Sequence, residues 1–107
     1  MMRRLLTKRN YSTFVKTEKT DKITTIILNN PAKRNSLCSQ MIKDLSESFN
    51  SLDESVNLVI LKSTGNVFCS GYNLKELSEL DSEKQRNYFK SSFDLFTKIK
   101  NLKQPGF

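Results

Sequence analysis

Ile23-Thr24-Thr25-Ile26-Ile27-Leu28-Asn29-Asn30-Pro31 is the stretch on which the fold assignment turns. Ile23 to Asn29 is rich in β-branched and aliphatic side chains, which suit a pleated strand, and Asn30-Pro31 closes it. The proline ring biases its predecessor away from helical backbone and favours a turn. After the polar turn Ala32 to Asn35 the pattern becomes helical: Ile42, Leu45, Phe49 and Leu52 recur at spacings of three, four and three, with Ser39 as the expected N-cap. Lys43, Asp44, Glu47 and Asn50 lie mainly off that stripe, so this helix is expected to pack on one side only.

Asp53 to Asn57 reads as a polar connection, and Leu58 to Leu61 as a short aliphatic strand buried on both faces. Thr64 to Asn66 makes a turn, Val67 to Ser70 is extended or irregular, and Gly71 precedes a short helix over Asn73 to Leu80. Phe89, Phe93, Phe96 and Ile99, at spacings of four, three and three, define a longer helix. Tyr88, Leu95 and Leu102 widen its stripe, and it ends before Pro105. Strand, helix, strand, helix implies an α/β arrangement, with helices packed on a mainly parallel sheet. Two or three strands alone leave unpaired edges.

At 107 residues there is room for one core at most. The formal charge of +7 is concentrated at the start. Arg3, Arg4, Lys8, Arg9 and Lys16 stand in the first 17 residues with no acidic residue, and the remainder holds thirteen basic and eleven acidic side chains. The body is therefore nearly balanced, at about +2, and nucleic-acid binding is not expected of it. A basic, acid-free opening with Leu5 and Leu6 between the arginines has the make-up of a mitochondrial transit peptide. Residues 1–17 are read as that peptide and a linker, with a mature start near Ser12 and a destination in the matrix. No apolar run approaches the ~20 residues of a transmembrane helix. Cys38 and Cys69, without any histidine, make a metal site unexpected, and both thiols are expected to be reduced.

Two segments carry a resemblance. Leu28-Asn29-Asn30-Pro31-Ala32-Lys33-Arg34-Asn35-Ser36-Leu37 resembles the opening motif of the enoyl-CoA hydratase/isomerase, or crotonase, superfamily. Phe68-Cys69-Ser70-Gly71-Tyr72-Asn73-Leu74-Lys75-Glu76-Leu77 resembles its phenylalanine-small-small-glycine-x-aspartate-leucine signature. The aliphatic strand lies between them as in that family, and the likeness spans Lys22 to Pro105. It implies the N-terminal portion of a crotonase-type ββα spiral, incomplete, over residues 18–107.

The family binds an acyl-CoA thioester and holds its carbonyl oxygen between two backbone N–H donors. The resemblance places one donor on the amide of Tyr72, where a helix is expected to begin and unpaired amides point at an anion. Gly71 would permit an approach that a β-carbon could block. Ser70, Asn73 and Leu74 complete this binding segment, and Asn73 stands where the family has aspartate. In the first motif, backbone around Asn35, Ser36 and Leu37 is implied to line the CoA channel, with Lys33 or Arg34 near phosphates. Asn35 is expected to fix the turn rather than touch substrate. Coenzyme A is part of the substrate, so no separate cofactor is implied.

Glu76 follows the anion site by one helical turn but is not favoured as an acid or base. In hydratases of the family the paired glutamates come later, beyond a glycine-rich segment that provides the second donor, and this sequence ends at Phe107 before them. The expectation is a truncated domain without hydratase activity of its own. The alternative is a non-catalytic subunit whose unpaired edges form a homo- or hetero-oligomer with full-length crotonases. Nucleic-acid binding through the basic leader ranks last.

Overall fold

A computed structural model describes residues 14–104. The expected transit peptide before residue 14, with its start near Ser12, lies outside the described residues, as do Pro105, Gly106 and Phe107.

Strand β1, Val15–Thr20, turns back through Asp21 and Lys22 into β2, Ile23–Leu28, and pairs with it antiparallel. Helix α1, Ser39–Asn50, then crosses the sheet and delivers the chain to β3, Leu58–Ser63, which runs parallel to β2 with Ile23 opposite Leu58 and Leu28 opposite Ser63. The order β1-β2-β3 makes a mixed sheet of one antiparallel and one parallel pairing. A five-residue helix α2, Leu74–Ser78, leads into α3, Ser82–Lys100, which packs against α1.

The expected boundary at residue 17 falls inside β1. Val15 is buried in the core, Thr17 Oγ1 lies 3.3 Å from Ser48 Oγ, and the Phe14 amide donates to Asp44 Oδ2 at 3.3 Å. The basic composition of Lys16 and its neighbours masks an edge strand whose outer residues, Glu18 to Thr20, are polar and exposed.

The core is built on the side chains of Ile26, Leu28, Met41, Ile42, Leu45, Phe49, Val59, Tyr88 and Leu95. Each such large apolar side chain contributes roughly 1.5–3 kcal/mol on burial. The α1 stripe is as the spacing predicts, with two corrections. Cys38, not Ser39, is the N-cap: its Sγ accepts the Met41 amide at 3.4 Å. Asp44 is buried, because its carboxylate takes hydrogen bonds from the Phe14 amide and from Gln40 Nε2 at 2.7 Å.

Strand β3 is not buried on both faces. Only Val59 is fully buried there, since among the described residues nothing pairs with the strand's outer edge. In α3 the buried residues are Tyr88, Ser92 and Leu95, whereas Phe93 and Phe96 are 60% and 43% exposed. Of the expected stripe Tyr88, Leu95, Phe89 and Ile99 do pack on the core, while Phe93 and Phe96 stand at its exposed border.

Candidate functional site

The two motif segments lie side by side and are tied together by main chain. Pro31–Lys33 forms a single 3-10 turn, after which Arg34 and Asn35 both adopt left-handed backbone, with φ of +55° and +56°. Two consecutive left-handed residues cost of order 1–3 kcal/mol each unless the surroundings enforce them. Asn35 supplies the enforcement. It is fully buried, its Oδ1 accepts the Asn30 amide at 2.7 Å, and its Nδ2 donates to the carbonyls of Thr64 and Val67, each at 2.9 Å. The role expected of Asn35 as the residue that fixes the turn is what its contacts display.

Across this turn the Ser70 amide donates to the Arg34 carbonyl at 3.1 Å, and the Leu37 amide donates to the Gly71 carbonyl at 2.8 Å. Leu37 and Tyr72 form an isolated parallel bridge. A planar trans peptide directs its C=O and N–H in opposite directions. Because Gly71 C=O is held on Leu37, the N–H of Tyr72 in the same peptide points away from that segment. No hydrogen bond to a protein acceptor uses it among the described residues. Gly71 has φ +98°, a backbone state that side chains disfavour, while a β-carbon there would meet no protein atom within 4 Å. Backbone angle, not protein crowding, is therefore what calls for glycine. Gly65 is different: its φ is +81° and a β-carbon would sit 2.8 Å from Pro31 Cβ, so it lets the loop after β3 close on the first motif.

Tyr72 does not begin a helix as expected. The cap of α2 is Asn73, whose Oδ1 accepts the Glu76 amide at 2.9 Å, so the first helical residue is Leu74. The Asn73 side chain is thereby committed to capping, and the Leu74 side chain is 75% exposed. The spacing Asn73-x-x-Glu76 is the sequence signal that could have revealed this cap. Glu76 is also committed: its carboxylate accepts from the Ser39 amide at 3.0 Å and from the Ser39 hydroxyl, placing a negative charge at the N-terminus of α1.

The ring of Tyr72 packs on α3, 5.7 Å from Tyr88 and 5.3 Å from Phe89 between centroids, the latter edge-on. Its hydroxyl lies 3.0 Å from Ser92 Oγ, which spends its own proton on the Phe89 carbonyl; Tyr72 is therefore the donor. The phenol is structural and the amide is left for other work. Ser36 and Leu37 are buried, with Leu37 in the core, so only their main chain can border a ligand. Lys33 and Arg34 are exposed and form no ion pair among the described residues, leaving both cations available at the turn. Ser70 is exposed beside them. Cys38 and Cys69 are free thiols, and Cys69 Sγ accepts the Gly71 amide at 3.4 Å.

Tyr88 is the residue the sequence pattern does not single out. Buried in the core, it donates its hydroxyl to the Leu37 carbonyl and accepts the Asn73 amide at 3.2 Å. Burial pushes its phenol above the ordinary tyrosine range, which keeps it protonated and donating near neutral pH. The spacing puts Tyr88 on the apolar stripe of α3, but nothing local marks the work of its hydroxyl, because its partner Leu37 is 51 residues away.

The sequence profile described as enoyl-CoA hydratase/isomerase matches residues 18–106. The mitochondrial enoyl-CoA hydratase domain-containing protein 3 of Danio rerio is 37% identical over 97 residues, covering 88% of this chain and 34% of the relative. Its Homo sapiens counterpart is 38% identical over 81 residues, covering 74% of this chain and 26% of that protein. Among solved structures, an enoyl-CoA hydratase from Mycobacterium smegmatis superposes with a TM-score of 0.82 at 32% identity, covering 87% of this chain and 38% of that one. The chain thus spans about a third of the length of the proteins it matches.

Proposed function

The chain belongs to the enoyl-CoA hydratase/isomerase family, and we propose that it binds an acyl-CoA thioester with the carbonyl oxygen on the Tyr72 amide. The observation that carries this is the Gly71–Tyr72 peptide: its carbonyl is held by Leu37, and its N–H is turned away and unspent. A fixed donor of this kind stabilises negative charge developing on a thioester oxygen without reorganising during the reaction, and one such donor is typically worth ~10²–10³ in rate. Lys33 and Arg34 stand on the adjoining turn as partners for CoA phosphates. Main chain at Ser36, Leu37, Ser70 and Gly71 forms the wall between them. Asn73 and Leu74, counted in the binding segment by resemblance, contribute through the position of their backbone.

The reaction in which this site takes part is the hydration or isomerisation of an acyl-CoA in fatty-acid metabolism. The names of the similar vertebrate proteins support a mitochondrial location, and the basic opening supports the matrix. Among the described residues the donor proposed for this oxygen is the Tyr72 amide. With Glu76 committed to Ser39, no carboxylate beside Tyr72 is free for proton transfer among the described residues. These residues are read as the thioester-binding part of the site. A second reading, association with full-length crotonases, is favoured by the unpaired edge of β3 and the exposed Phe93 and Phe96.

The purified chain is expected to bind butyryl-CoA by calorimetry and to leave crotonyl-CoA unhydrated. Absence of binding would remove the CoA assignment, and measurable hydration would contradict the division between binding and catalysis.

A further inference from the structure

We infer that Tyr88 is a positioning residue for the Tyr72 donor, holding the amide in place by inserting its hydroxyl into the bridge between the two motif segments. This deepens the proposed function and rests on its assignment of Tyr72.

A parallel bridge such as that between Leu37 and Tyr72 needs two links. The first is direct, from the Leu37 amide to the Gly71 carbonyl at 2.8 Å. The second sets the Asn73 amide against the Leu37 carbonyl, and the Tyr88 hydroxyl is shared between the two. The Asn73 amide donates to the Tyr88 hydroxyl at 3.2 Å, and that hydroxyl donates onward to the Leu37 carbonyl. The peptides on either side of the Tyr72 α-carbon are thus pinned separately, one by Leu37 alone and the other by Leu37 with Tyr88. A peptide held on one side can still rotate about the adjoining bonds; held on both sides, its N–H has one direction.

The phenol is well placed for the task. Its ring is buried and braced, with Phe89 at 5.7 Å in an edge-on contact and Tyr72 at 5.7 Å on its other neighbour. It arises from α3, the longest helix, rather than from a loop. Removing the oxygen deletes its bonds to both groups and leaves the Asn73 amide and Leu37 carbonyl free to shift against each other, which loosens the Tyr72 peptide between them. Displacements of about 1 Å at a reacting group can cost ~10²-fold.

The test separates thioester recognition from binding of the rest of the molecule. Butyryl-CoA and its thioether analogue S-butyl-CoA differ in the carbonyl alone. In the wild-type chain the thioester is expected to bind about fivefold tighter, the usual scale of one hydrogen bond. In Tyr88→Phe this ratio is expected to fall to about one while the thioether affinity is unchanged, a pattern that general loss of structure would not produce. A ratio that stays at about five in Tyr88→Phe overturns the role of Tyr88 and leaves the Tyr72 donor standing. A ratio of one in the wild type overturns the donor assignment, and this inference with it. Should Tyr88→Phe not fold, the Tyr88 hydroxyl proton of the wild type decides: a resonance protected from exchange with water supports its bond to the Leu37 carbonyl, and a hydroxyl proton exchanging too fast to observe refutes it.

Discussion

The clamp around Tyr72 and the periphery formed by β3 and the outer side of α3 are built to different standards. At the clamp every turn is held from elsewhere: Asn35 reaches Thr64 and Val67, Leu37 reaches Gly71, Tyr88 reaches Leu37 and Asn73, and Glu76 reaches Ser39. At the periphery Leu58–Ser63 has no outer partner among the described residues, and Phe93 and Phe96 face outward. The contrast separates a segment whose backbone is pinned from within the described residues from a sheet edge that none of them pairs with.

Breaking the clamp should have the largest effect. Asn35→Ala removes three hydrogen bonds to main-chain groups and a side chain that, among non-glycine residues, tolerates φ of +56° well. At about 1 kcal/mol for each bond the loss is roughly 3 kcal/mol, a large part of the 5–15 kcal/mol typical of a domain. Urea denaturation should show a collapse in midpoint, and a midpoint within error of the wild type would contradict the clamp. Phe93→Ser with Phe96→Ser should do far less: exposed sites usually move stability by under ~0.5 kcal/mol. The same denaturation series checks this, with solubility expected to rise as the exposed rings are removed. A loss of more than about 2 kcal/mol would mean that these rings are packed against something.

Much of the scaffold is legible in the sequence. The β2, α1, β3 order follows from aliphatic runs and helical spacing, because burial on one face writes itself into residue order. Strand β1 is lost in a basic opening, since an edge strand needs few apolar residues and Val15 alone marks it as core. On α3 the stripe is legible at Tyr88, Phe89, Leu95 and Ile99 but not at its centre, where Ser92 is buried beside the Tyr72 hydroxyl while the bulkier Phe93 is exposed. At the site, resemblance locates the Tyr72 amide, yet what holds it is unreadable locally. Asn35 acts on residues 29 and 32 positions away, and Tyr88 on one 51 away. The Asn35 contacts depend on the loop after β3 folding over the turn, and those of Tyr88 on the packing of α3.

The central claim is that one main-chain donor, pinned on both sides, awaits a thioester oxygen. Nuclear magnetic resonance of the ¹⁵N-labelled chain addresses it directly. Addition of butyryl-CoA should shift the Tyr72 amide proton strongly downfield and leave the Leu37 amide, already bonded to Gly71, nearly unmoved. A Tyr72 resonance that ignores butyryl-CoA while the chain binds it would contradict the account.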